Sequence, residues 1–136
     1  MIHLDTSVLV DALTGPRRSA PRVRRAVEAG ERMLLSTLVL YEWLRGPRHA
    51  AELESQAQLF PDDTAVPFDA PAAARAASLY RAVRAPRGRD VDLAIAACAI
   101  EHGASLWTLN VDDFKDIPGL TLYAPTPRLR SGQAED

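Results

Sequence analysis

Two rhythms of apolar residues divide this chain. Short runs fall at 1–4, 32–35, 65–68, 105–109 and 120–123, each bounded on at least one side by Gly, Pro, Asp, Asn or Ser, and predict β-strands. Between them the apolar positions are spaced at three and four, predicting helices from the Asp5-Thr6-Ser7 turn through Leu13, then at 20–29, 38–45, 48–59, 71–83 and 91–102. Gly15-Pro16, Gly30, Gly46-Pro47, Pro61 and Gly103 stop five of these helices, while Ser36-Thr37 and Asp90 are placed to cap two. Strands alternating with helices predict an α/β domain with a mainly parallel sheet over 1–123. A Pro-rich, then polar tail follows at 124–136, where mobility is expected. There is no internal repeat and no linker.

Four acids interrupt this pattern. They are Asp5 in HLDTSVLV, Glu42 in LVLYEWLRG, Asp92 in RDVDLAIAACA and Asp113 in TLNVDDF. Each follows a strand-like run or sits in an apolar helical pattern, where an unpaired carboxylate is costly. In parallel sheets, ligand sites lie beyond the carboxyl ends of the strands, and the predicted elements bring these acids toward that end. Carboxylates sharing one crevice repel and raise one another's pKa unless cations lie between them. Hard divalent ions with oxygen ligands meet that need, so the residues point to a metal-dependent phosphodiesterase. Each acid also has a plainer use. Asp5 can cap a helix, Glu42 can pair with Arg45, Asp92 can favour a helix dipole, and Asp112 or Asp113 can form a turn.

Composition narrows the picture. At 136 residues the chain is one domain, with 47% hydrophobic and 25% charged residues, proportions that argue against disorder. The formal charge is −2, low for a nucleic-acid binder, but subtracting the four candidate acids leaves +2. Of 16 basic residues, 15 are Arg and Lys115 is the only Lys. They cluster at Arg17, Arg18, Arg22, Arg24 and Arg25, and again at Arg81, Arg84, Arg87 and Arg89. Arginine forks suit phosphate, so Arg17, Arg18, Arg84, Arg87 and Arg89 are candidate phosphate contacts, against the plain alternative of solvated faces.

The single Cys98 excludes an intrachain disulfide and reads as a buried thiol in a reducing compartment. No segment approaches the roughly 18 apolar residues of a membrane span, so no membrane partner and a cytoplasmic location are expected. His3, His49 and His102 lack the paired spacing of acid–base or zinc chemistry, and no Gly-rich phosphate loop is present.

Taken in order, the motifs resemble those of the PIN-domain ribonucleases, and among these the VapC-type toxins of bacterial toxin–antitoxin pairs. The likeness is carried by Leu4-Asp5-Thr6-Ser7, by Glu42 ahead of Leu44-Arg45-Gly46, by Asp92-Leu93-Ala94-Ile95-Ala96-Ala97, and by Thr108 through Phe114 (TLNVDDF). It covers residues 1 to about 123. The resemblance implies a PIN-like three-layer domain with a central, mainly parallel β-sheet flanked by helices. It also implies endoribonuclease activity in which Mg²⁺ or Mn²⁺, held by Asp5, Asp92, Glu42 and Asp113, activates water against an RNA phosphodiester. Asn110 stands where many members have Asp and would offer a neutral oxygen. Thr6, Ser7 and Thr108 would orient the acids. A homodimer and a small antitoxin laid across the acidic groove are the partners implied, with Leu38, Tyr41, Trp43 and Leu44 available to line that groove or the core. Two readings compete: a PIN scaffold that only binds RNA or protein, and a receiver-like Mg²⁺-binding domain. The first is opposed by the presence of all the expected acids, the second by the lack of an acid beside Asp5.

Overall fold

The computed structural model describes residues 1–125; the tail expected at 124–136 lies, from residue 126 onward, outside the described residues. Among these residues three strands, β1 (Ile2–Leu4), β2 (Met33–Leu34) and β3 (Ser105–Trp107), form one parallel sheet in the order β2-β1-β3. Ile2 pairs with Met33 on one side and Ser105 on the other, and Leu4 reaches Trp107. Among the described residues six helices flank the sheet: α1 (Thr6–Leu13), α2 (Ala20–Glu28), α3 (Thr37–Arg45), α4 (Ala50–Leu59), α5 (Ala70–Ala82) and α6 (Asp90–Glu101). The α/β class with a parallel sheet is as expected.

This order places the carboxyl end of the central strand at a switch point. After β1 the chain passes through α1 and α2 to one neighbour, and after β2 it passes through four helices to the other. A crevice opens where such a reversal occurs. β1 is covered on both faces, which is why Ile2, His3 and Leu4 are all buried and alternation is absent. α6 is enclosed over Leu93–Ala99, and its side chains there are mostly those of alanine. Small side chains let it lie close to its neighbours, and Cys98 belongs to this wall, its thiol pushed by burial to about 11. Cys98 is therefore inert as a nucleophile.

Three expectations need correction. The run 65–68 is not a strand but a single parallel bridge between Val66 and Ser36. Pro67 has no N–H, and the Phe68 N–H goes to the Thr37 hydroxyl (3.1 Å), so the ladder cannot extend. The run 120–123 likewise supplies one bridge, Leu122 to Leu106, with hydrogen bonds of 2.8 and 2.7 Å, after Pro118-Gly119 and before Pro125. Asp90 is the first helical residue of α6 rather than its cap. Arg89 takes the cap position, its carbonyl accepting the first bond of the helix from the Leu93 N–H (2.9 Å).

Ser36 does cap α3, its hydroxyl accepting from the Val39 N–H at 3.2 Å in a buried setting. Ser36→Ala leaves that donor unpaired and is expected to cost about 1 kcal/mol. An unchanged urea midpoint would show that the cap contributes nothing. Among the described residues no helix is long and apolar enough to cross a membrane.

Candidate functional site

Asp5 leaves the end of β1 with its N–H on the Trp107 carbonyl (2.9 Å), so strand pairing fixes its position. The residue is only 4% exposed. Two hydroxyls converge on its Oδ2, from Ser7 at 2.8 Å and Thr108 at 2.7 Å. Those hydroxyls are themselves held, since Ser7 Oγ accepts from the Leu109 N–H (3.0 Å) and Thr108 Oγ1 from the Asn110 N–H (2.9 Å). The ends of β1 and β3 are thus laced together around one carboxylate. Oδ1 takes no part in these bonds.

Glu42 comes from α3. Thr6 Oγ1 donates to its Oε1 at 2.6 Å, tying α3 to the first turn of α1. Arg45, one turn on, stands 3.6 Å from Oε2 and packs over the Tyr41 ring. Asp92 is half-buried in the first turn of α6. Burial, then the negative charges of Asp5, Asp113 and Glu42, push its carboxyl up to about 6, against the pull of Arg89. Asp5, Glu42, Asp92 and Asn110 all line one crevice of about 470 Å³.

Asp113 is placed differently. It lies exposed on a 3₁₀ turn, Val111–Asp113, outside the crevice lining but near enough to act on Asp92. Its neighbour Asp112 pairs with Lys115 at 2.9 Å. Arg17 and Arg18 are exposed and directly follow Gly15-Pro16 at the crevice rim. Arg84 and Arg87 are exposed in the loop before α6, whereas Arg89 is engaged by Asp116 through two bonds of 2.9 and 2.6 Å. That hydrogen bond holds the Asp116 carboxyl below its ordinary range. Of the apolar candidates for the groove, Trp43 is fully buried, Leu38 half-buried, and Tyr41 and Leu44 exposed.

Sequence reasoning missed Asp11. It lines the same crevice, with its Oδ2 accepting from the Ser19 hydroxyl at 2.5 Å. The signal was available, because Ser7, Asp11 and Thr14 lie four and three residues apart on one face of a helix. It also missed the contact between His3 and His102, whose Nε2 and Nδ1 lie 2.8 Å apart although 99 residues separate them. Burial first, then His102 and the amino terminus, lower His3 to about 4.

The donor set tests whether a divalent ion suits this crevice. Every candidate ligand offers hard oxygen, and Asp92, raised first by burial and then by the charges of Asp5, Asp113 and Glu42, is a carboxyl whose ionised form a cation would favour. Among the described residues no three His, Cys, Asp or Glu side chains are grouped as a ready ion site. The oxygen chemistry of the donors is that of a hard-cation site.

Three comparisons bear on this arrangement. A family model for the PIN domain matches residues 2–120. No curated protein matches the sequence. Among solved structures, VapBC2 from Rickettsia felis, bound to a DNA fragment from its promoter, superposes with a TM-score of 0.70 at 23% identity, over 90% of this chain and 98% of that one. FitAcB from Neisseria gonorrhoeae gives 0.67 at 24% identity, over 92% and 98%. VapBC-5 from Mycobacterium tuberculosis, a member of the VapBC family of toxin–antitoxin systems, gives 0.55 at 25% identity, over 88% and 91%.

Proposed function

The chain belongs to the PIN-domain family, and from that premise we propose that it is a Mg²⁺- or Mn²⁺-dependent endoribonuclease, the toxin of a type II toxin–antitoxin pair. The observation that carries this reading is the meeting of Asp5, Glu42 and Asp92 in one crevice, with Asp113 acting on Asp92 from outside its lining. Asp5, Asp92 and Glu42 would hold the ion, with Asp113 or the neutral Asn110 completing the set. A divalent ion there supplies Lewis-acid charge, which makes water a better nucleophile at neutral pH and offsets charge on the leaving oxygen.

The chain's own groups prepare for this. Ser7 and Thr108 fix the rotamer of Asp5, leaving Oδ1 outside their bonds. Thr6 does the same for Glu42, and such orienting partners count for much of a metal site's affinity. Arg17 and Arg18 at the rim, with Arg84 and Arg87, would hold the RNA backbone, making binding salt-dependent. A cognate antitoxin would fit the same crevice, with an arginine standing in for the ion and the exposed Tyr41 and Leu44 offering apolar contact. The named complexes among the structural neighbours support such a partner. A homodimer is proposed with it.

The test is cleavage of total cellular RNA by the purified protein with Mg²⁺ or Mn²⁺. Discrete cuts are expected, abolished by EDTA and restored by added metal. Folded protein that leaves RNA intact across metals and concentrations would leave a binding module in place of the enzyme.

A further inference from the structure

Arg89 serves three acceptors at once. Its Nη1 donates to Asp116 Oδ2 (2.9 Å), its Nη2 to Asp116 Oδ1 (2.6 Å), and Nη2 also to the Asp113 carbonyl (3.0 Å). These partners come from the loop after β3, whereas Arg89 sits at the cap position of α6, three residues before Asp92. The guanidinium fork thus fastens the turn bearing Asp113 to the helix end bearing Asp92.

We propose that Arg89 is a positioning residue which, gripped by Asp116, sets the spacing of the Asp92 and Asp113 carboxylates and with it the cation affinity of the crevice. The proposal rests on the metal-dependent reading above. It gives Arg89 a task other than the phosphate contact its sequence neighbourhood implies.

Geometry argues for the tie. The turn's own backbone bonds are local, Asp113 N–H to the Asn110 carbonyl and Phe114 N–H to the Val111 carbonyl, and they fix its shape but not its place. Phe114 and Ile117 anchor its apolar side in the core. On the polar side the Arg89 fork supplies the link to α6. A planar fork with two parallel bonds constrains direction as well as distance, which an ammonium cannot do.

Charge alone predicts a different outcome, so the two are separable. Arg89→Lys keeps the charge and loses the fork; Asp116→Asn keeps the size and weakens the grip. The experiment measures Mn²⁺ affinity by calorimetry, with hydrogen exchange over residues 110–116 in the metal-free protein. Both variants are expected to bind Mn²⁺ about tenfold more weakly, as is common when an orienting partner is lost, and to exchange faster in that segment. A phosphate contact would instead raise KM for RNA in Arg89→Lys with Mn²⁺ affinity unchanged. Wild-type affinity in Arg89→Lys overturns the proposal. Failure of the parent protein to bind Mn²⁺ at all overturns the metal-dependent reading itself, and shows in the parent rather than as a difference between variants.

Discussion

Asp92→Asn is expected to abolish RNA cleavage while making the metal-free protein more stable. The loss follows from removing a ligand charge and is put at more than about a hundredfold in kcat. The gain follows from linkage. The folded pKa of Asp92, about 6, lies above its ordinary 3.8, so the folded state holds this proton more tightly than the unfolded chain. Ionised Asp92 therefore costs stability at pH 7, a cost relieved as pH falls through 6 toward 3.8. The shift corresponds to about 3 kcal/mol before solvent screening, and to about 1–2 kcal/mol for a half-buried group. Urea unfolding with EDTA, beside the cleavage assay, reads both signs. A variant that cuts RNA normally, or one less stable than wild type without metal, would sink this account. Asp5→Asn is expected to lose cleavage as well.

The second large effect is a pH dependence that wild type partly masks. His3 is buried and its folded pKa is about 4, below the usual 6.5. Its neutral form is what the fold accepts, so its full contribution is present above pH 6.5 and is lost as pH falls toward 4. That loss is about 3 kcal/mol. Asp92 runs the other way over 6 to 3.8 and offsets part of that loss in the metal-free wild type. In Asp92→Asn the His3 titration stands uncovered, and stability should fall more steeply with acid than in wild type. Denaturant midpoints at pH 7, 5.5 and 4 measure the difference, in which other titrating groups such as Asp116 cancel. Parallel slopes in the two proteins would refute it.

Local pattern made much of this legible and long-range contact did not. Strand β1 with Asp5 after it, Glu42 inside α3 and Asp92 opening α6 all follow from short-range periodicity, and the structure brings these three acids to one crevice. The strands at 65–68 and 120–123 failed because apolar runs do not say whether a partner ladder exists for more than one residue. The meeting of His3 with His102 and of Arg89 with Asp116 lies beyond any window of local reading. Asp113 carried the right motif, yet a turn places it outside the crevice lining, where its effect on Asp92 is electrostatic.

The Asp5 carboxylate waits 103 residues for the Thr108 hydroxyl that helps fix it. Its own N–H waits as long for the Trp107 carbonyl. Synthesis runs from the amino terminus, so the first acid of the crevice is made near the start and its support near the end. Contacts so distant in sequence form late in folding. The crevice is therefore complete only once β3, made near the end of the described chain, has docked beside β1. A partner that recognises the finished crevice would then meet it at the moment of its completion.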